Sequence, residues 1–357
     1  MTHIDWVILR RVGSRVGLAM AVLFGMLMLV ESLDSWRFAY LSALGGAPLA
    51  MLGIASAAAS WLIKSLALTV LVGTVIGVID LQSRRELTVI KSSGLSIWRI
   101  LRAPTLAVLI GGFAVVLIGE GIVTQINRGL SSNQPGDAAA ALAPSGGLWL
   151  EQNANGERYV IEAAHVIGKG QQLVDVAIFL TDGAQEGRIL APQANLVDGA
   201  WYFPTATRYR VELAPEHLTN FSMPTTTTRG DLALKLSSTD DMTFFELAGS
   251  LATKVSDPAL RSAVATRFLR LLSLPALLVG ALFIAFAFTA GYRRASGYGA
   301  SIIYAIFLGF VVFMITEMAD RAGSAGALDP TLAACGPAFV AIVIGLSVLL
   351  YKEDGRA

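Results

Sequence analysis

The 357 residues hold 27 Lys and Arg against 26 Asp and Glu, and the resulting net charge of +1 offers no bulk attraction for nucleic acid. Composition is 54% hydrophobic and only 15% charged, with mean hydropathy +0.62. Soluble domains carry about 25% charged residues, so a soluble globular fold is excluded and the chain belongs in lipid. The single cysteine, Cys335, rules out an internal disulfide or a cysteine metal cluster, and His3, His165 and His217 are spaced too widely to suggest zinc.

Basic Arg10, Arg11 and Arg15 precede the first apolar run, at 17–30, and no small-x-small cleavage pattern follows before Glu31. An uncleaved first transmembrane helix is therefore expected, with those arginines snorkelling to head groups. Six spans are predicted at 7–33, 48–78, 97–123, 267–290, 299–317 and 331–351, long enough for the roughly 20 residues that cross a bilayer core. Lys and Arg gather on alternate connections: Arg10, Arg11 and Arg15, then Arg84, Arg85, Lys91, Arg99 and Arg102, then Arg293 and Arg294. The other side has Arg37 against Glu31 and Asp34, and Arg321 against Glu317, Asp320 and Asp329. The positive-inside rule then puts both termini and the 83–94 stretch in the cytoplasm, with the long region between the third and fourth spans outside.

That region, 125–257, changes character. Turn signals recur at Asn155-Gly156, Gly168-Lys169-Gly170, Asp182-Gly183 and Asp198-Gly199. Between them, Val174, Val176, Ile178 and Leu180 alternate with period two, and Trp201-Tyr202-Phe203 and Tyr209-Arg210-Val211 favour strands. A compact all-β sandwich or roll is predicted here. Helical signals return with a capping box at Thr243 to Glu246 and an N-cap and first-turn proline at Asp257-Pro258. The fold class is a six-span α-helical membrane protein with an inserted all-β domain, divided as 1–124, 125–257 and 258–357.

No phosphate-binding GxxxxGK[ST] loop, GxSxG elbow or HExxH pair occurs, so no enzymatic site, cofactor or metal is expected. Ionisable residues inside spans carry more weight, since charge in lipid is costly. Lys64 falls about 24 Å along a helix begun at Pro48, at about 1.5 Å per residue. It either lines a cavity, pairs with Glu31 or Asp34, or snorkels. Arg267 and Arg270, three apart, share a helix face as head-group anchors or substrate contacts, and Glu120 can pair with one of them.

At 83–94, Leu87, Ile90 and Gly94 lie on one side at i, i+3 and i+7, with Arg84, Arg85, Lys91 and Ser92 around the rest. Gly94 is a helix stop, Ser96 a cap for the third span, and Leu95 with Ile100 a hydrophobic staple. A short amphipathic helix along the cytoplasmic face is predicted; the plainer reading is a positive-inside loop.

Arg-Glu-Leu-Thr-Val-x-Lys-Ser-Ser-Gly at 85–94 resembles the coupling-helix motif of the lipopolysaccharide export permeases LptF and LptG. Gly119-Glu120-Gly121-Ile122-Val123, Gly147-Leu148-Trp149-Leu150, Tyr159-Val160-Ile161-Glu162 and Leu33-Asp34 resemble the LptG type. The resemblance spans essentially the whole chain and implies three spans, a periplasmic β-jelly-roll and three more spans. It implies an inner-membrane ABC exporter subunit that works with an LptF-like partner permease, two copies of an LptB-like ATPase, an LptC-like anchored β protein and an LptA-like periplasmic bridge. Lipopolysaccharide would be the substrate. By the same resemblance Arg85, Glu86, Leu87, Ile90 and Gly94 would couple to the ATPase, with Glu86 docking in its groove. Arg37, Lys64 and Arg270 would meet the anionic lipid. Glu31 departs from the basic residue common at its position and weakens a phosphate contact there, which Lys64 or Arg37 can replace. Two other readings stand beside this one: the LptF-type partner, and a membrane-anchored periplasmic scaffold without a transport cavity.

Overall fold

The computed structural model describes residues 3–92, 94–131, 148–154, 157–167, 172–180, 187–197, 199–210, 214–225, 239, 242–252, 258–289 and 298–354. The chain forms two compact units, one mainly of helices (Met1–Arg128, Thr243–Gly249 and Ser262–Ala357) and one built around a β sheet (Gly129–Met242 and Ser250–Arg261).

In the helical unit, α1 (His3–Ser32), α2 (Ser35–Lys64) and α3 (Leu66–Ser83) are followed by the short α4 (Glu86–Ser92). Next come α5 (Ile97–Ala114), a π-helical turn at Val115–Gly119 and α6 (Glu120–Ser131). After the sheet come α7 (Phe244–Ala252), α8 (Pro258–Thr289), α9 (Tyr298–Ser324) and α10 (Pro330–Asp354). Six helical stretches are long and apolar enough to cross a membrane: Ile4–Ser32, Phe38–Lys64, Leu66–Ser83, Ile97–Leu130, Leu260–Thr289 and Pro330–Tyr351. The predicted fifth span lies within α9, which falls outside that set among the described residues.

Two predicted boundaries move. The second span is bent at Ser65, whose hydroxyl donates back to the Trp61 carbonyl at 2.9 Å, a bond that competes with the helix ladder. The backbone bonds Ser65 N to Trp61 O and Thr69 N to Ser65 O persist, so α2 and α3 are two arms of one bent helix. Within α2, Gly45 (φ −147°) and Gly46 (φ +75°) leave helical geometry just before Pro48, where the span was expected to begin. The third span contains the π turn and its helix continues past 123 to Ser131.

Glycines set the closest helix approaches. A Cβ on Gly280 would stand 2.7 Å from the Ala341 Cβ of α10, and one on Gly112 would stand 2.9 Å from the Pro275 Cα of α8. Small residues at such crossings let backbones pack where lipid offers no hydrophobic drive.

In the sheet unit, β1 (Leu148–Ala154), β2 (Glu157–Ile167), β3 (Gln172–Leu180), β4 (Gly187–Val197), β5 (Ala200–Arg210) and β6 (Glu216–Pro224) form one antiparallel sheet in sequence order. The inserted all-β domain is thus present, and its described strands run as a meander. The predicted turns fall between consecutive strands; Asn155, Gly156, Gly168, Lys169, Gly170, Asp182, Gly183 and Asp198 lie outside the described residues, as do Val211 and Asp257.

The expected alternation at 174–180 breaks at one point. Val176 and Ile178 enter the core, but Leu173 replaces Val174 because Asp175 takes a left-handed φ of +52°. The neighbouring strands do the same at the same level. Buried positions step from Ala191 to Ala194 in β4 and from Phe203 to Ala206 in β5, passing over Pro192 and Pro204, which have no N–H for the ladder. In β6 the matching residue is Asn220, also at φ +52°. Asp and Asn tolerate that conformation better than other side chains. The pairing registers run unbroken through this level, so no strand gains a residue over its neighbour and the strands shift phase together, as a seam. The sheet coils over its own apolar face, and Tyr159 of β2 donates its hydroxyl to the Pro224 carbonyl of β6, four strands away. Trp201, Tyr159 and Phe203 are completely buried beneath it.

Candidate functional site: the α4 corner and the buried ion pairs

The stretch predicted as a helix at 83–94 is a corner. Ser83 closes α3, and Arg85 takes a left-handed φ of +60°, uncommon outside glycine. The helix proper is confined to Glu86–Ser92. Gly94, at φ +81°, then separates α4 from α5 as expected. Ser96 does occupy the N-cap of α5, but its hydroxyl makes no capping bond; its carbonyl accepts from Arg99 N and Ile100 N instead.

Leu87 is buried in an apolar cluster with Ile8 and Val12 of α1, Val78 and Leu81 of α3, and Ile97, Ile100 and Leu101 of α5. Leu282 and Phe286 of α8 and Leu349 of α10 complete it, and Ile90 packs against it. The opposite face of α4 is open, with Val89 65% exposed and Arg85 exposed beside it. Glu86 lies at the edge, 3.3 Å from the Arg11 guanidinium of α1. Its other carboxylate oxygen is buried and has no hydrogen-bond partner among the described residues. Arg15 meets Asp80 at 3.3 Å, so two of the arginines expected to snorkel instead have carboxylate partners on this corner. Gln82 donates to the Thr289 carbonyl at the end of α8. Of the residues expected to couple, Glu86, Leu87 and Ile90 lie on this short element, fixed from behind, and Arg85 and Gly94 flank it.

The basic residues expected to meet lipid are not alike. Lys64 ends α2 with its ammonium 5.4 Å from the centre of the Trp61 ring, a cation–π contact. Arg270 is held between Glu317, at 3.4 Å, and Asp320 of α9, and is 17% exposed. Its charge is matched within the bundle. The backbone of Arg37 lies in the first turn of α2, and its side chain lies outside the described residues.

Glu120 pairs with Arg267 of α8 at 2.7 Å, with side chains 6% and 15% exposed, and also accepts from Thr124 at 3.2 Å. Further pairs escaped the sequence reading. Asn127 of α6 donates to Ser60 at 3.0 Å and accepts from Ser56 at 2.7 Å, both on α2. Arg128 grips Glu246 of α7 with two bonds of 2.8 and 2.7 Å. Glu246 also closes the predicted capping box, accepting from the Thr243 amide at 2.9 Å. The Arg128 guanidinium, together with the Thr243 donors, holds the Glu246 carboxyl well below the usual range, at about 2. Glu120, Thr124 and Asn127 stand at i, i+4 and i+7, a polar stripe in an apolar span and the one signal in the sequence that could have revealed this face.

No group of three or more His, Cys, Asp or Glu able to hold a metal occurs among the described residues. The α4 corner has one buried face and one open face, and the Glu120–Arg267 pair is buried between α6 and α8. No curated protein matches the chain. The family model of the lipopolysaccharide export system permease LptF/LptG matches residues 6–352, nearly the full length. With its apolar helices, its inserted β sheet and this match, the chain belongs to the LptF/LptG family of lipopolysaccharide export permeases.

Proposed function

We propose that the chain is the LptG-type permease of an ABC exporter that draws lipopolysaccharide from the inner membrane and passes it to a periplasmic β-jelly-roll bridge. Basic flanks favour cytoplasmic termini, a cytoplasmic α4 and a periplasmic β unit. The partners are an LptF-like permease, an LptB-like ATPase dimer, an LptC-like anchored β protein and an LptA-like bridge. The preference for LptG rests on the stretches at 119–123 and 147–162.

The observation that carries the coupling role is the two-sided character of α4. Its back, through Leu87, shares one core with five other helices, so a push on its open face reaches all of them together. A packed interior transmits such a displacement with little compression. Gly94, at φ +81°, takes the left-handed conformation open to glycine and makes α4 an element distinct from α5. Glu86 is held in place by Arg11 at the edge of the open face. Closure of the ATPase dimer on ATP would then narrow the lipid cavity. Lys64 and Arg37 are the proposed head-group contacts, with Arg270 contributing less because two carboxylates already face it.

The test is Glu86→Lys in a complex reconstituted with its partner subunits. Charge reversal at a docking contact is expected to reduce ATPase association or lipid-coupled hydrolysis by about tenfold or more, with the β unit still folded. Unchanged assembly and unchanged lipid extraction would sink the coupling role. Mass identification of the co-purifying permease distinguishes the two family types: an LptG-like partner would reassign this chain as LptF.

A further inference from the structure

The chain leaves the helical unit after Arg128, touches it again at Thr243–Gly249, and returns for good at Ser262. The exit segment is α6, and the returning segments are α7 and the body of α8. Ion pairs join exit to return twice. Glu120 meets Arg267 of α8 in a buried contact, and Arg128 meets Glu246 of α7 in an exposed one. Phe244 of α7 stacks on Phe268 of α8, with centroids 5.1 Å apart, tying the two returning segments to each other.

The π turn explains how α6 presents these groups. Gly112 and Glu120 both face α8, against Pro275 and Arg267 respectively. In a regular helix, residues eight apart differ by about 80° around the axis, at about 100° per residue. A π turn absorbs one residue, which brings the two to within about 20° of each other. Without the turn at Val115–Gly119, the stripe of Glu120, Thr124 and Asn127 would rotate away from its partners. Ile118 and Ile122, 61% and 53% exposed, occupy the outward side instead. Three separate bonds to α2, α7 and α8 thus depend on one local irregularity, and π turns are frequent where function needs a helix re-aimed.

We propose that Glu120–Arg267 and Arg128–Glu246 form a neck clamp, phased by the π turn, that holds the segment leaving for the β unit against the segments returning from it, and that lipid transfer requires this clamp to be closed. Glu120 and Arg267 act as positioning residues: they touch each other and not the lipid. The transfer part rests on the function proposed above, whereas the clamp itself does not.

The experiment has two arms. In the first, the full chain is purified in detergent and hydrogen exchange is followed in the wild type, Glu120→Gln and Arg267→Gln. The clamp predicts faster exchange in α6 and α7 together, by about tenfold, and none in α4. Unchanged exchange in α6 and α7, or an equal rise in α4, overturns it. In the second arm, complexes in proteoliposomes are given lipopolysaccharide and ATP. Single variants are expected to lose most transfer while hydrolysing ATP as before, and exchanging the charges (Glu120→Arg with Arg267→Glu) is expected to restore at least about a third of it. Transfer at wild-type level in both singles, or transfer and hydrolysis falling in parallel, overturns the requirement. Where these variants do not assemble, Arg128→Gln and Glu246→Gln replace them, since that pair is exposed, with a smaller split of the same sign expected. A wild-type complex that moves no lipopolysaccharide refutes the exporter reading and leaves the exchange arm to decide the clamp.

Discussion

The two ends of the α5–α6 helix are held by opposite physics. At the start of α5, α4 rests on an apolar cluster of aliphatic side chains and Phe286, with its charges on the outside. At α6 the arrangement is inverted: Glu120, Thr124 and Asn127 point inward to polar partners while isoleucines face out. An apolar contact has no preferred direction, and a close-packed one passes a push on with little compression. A buried ion pair is either made or broken, because each charge left alone in a low dielectric is costly. The bundle thus has an end held by packing and an end held by a latch.

The largest effect should come from half of the latch. Arg267→Met leaves Glu120 buried without its partner and is expected to cost about 3–5 kcal/mol, whereas adding Glu120→Leu should return most of it, as apolar replacements of buried pairs do. Thermal unfolding of the purified chain reads both. A double variant as unstable as the single would mean the end is not held by the pair, and the contrast fails. Next in size, Leu87→Ala should cost about 2–4 kcal/mol through the cavity it opens, with no dependence on salt. A salt-sensitive loss there would show that Glu86–Arg11 and Asp80–Arg15, not the apolar cluster, hold α4.

The smallest effect concerns the exposed half of the latch. Glu246 titrates at about 2 when folded, against an ordinary value of 4.5. A lowered folded value means that stability is fully present above 4.5 and is lost as pH falls from there toward about 2. Because Arg128 and Glu246 are both nearly half exposed, the gain should be at most about 1 kcal/mol. Hydrogen exchange in α7, corrected for the intrinsic amide rate at each pH, should rise across that window, and Arg128→Gln should move the window upward. Exchange that stays flat from pH 5 to 2, values of about the carboxylate range, would remove Arg128 as the cause.

Local chemistry was legible in the sequence and long-range pairing was not. Hydropathy located the spans, Gly94 with Leu87 and Ile90 located α4, and Thr243 with Glu246 located the cap of α7, because each signal lies within about two helical turns. Glu120 was visibly out of place in an apolar span, yet choosing Arg267 over Arg270 required the phase of α6, and a π turn leaves no mark in composition. The bend at Ser65 escaped for a similar reason, since serine inside a span is ordinary until its hydroxyl turns back on the helix. In the β unit, alternation gave the strands, but the shift from Val174 to Leu173 depends on Asp175, Pro192, Pro204 and Asn220 lining up across neighbours.

The strand order has a consequence for how the protein is made. Every described strand pairs with its neighbour in sequence, so the sheet can grow hairpin by hairpin with short loops to close, the regime of fast folding. Its last stitch, Tyr159 to Pro224, becomes available only when β6 has been synthesised. The insert can therefore complete its own core while α8, α9 and α10 are still in the ribosome or the insertion machinery.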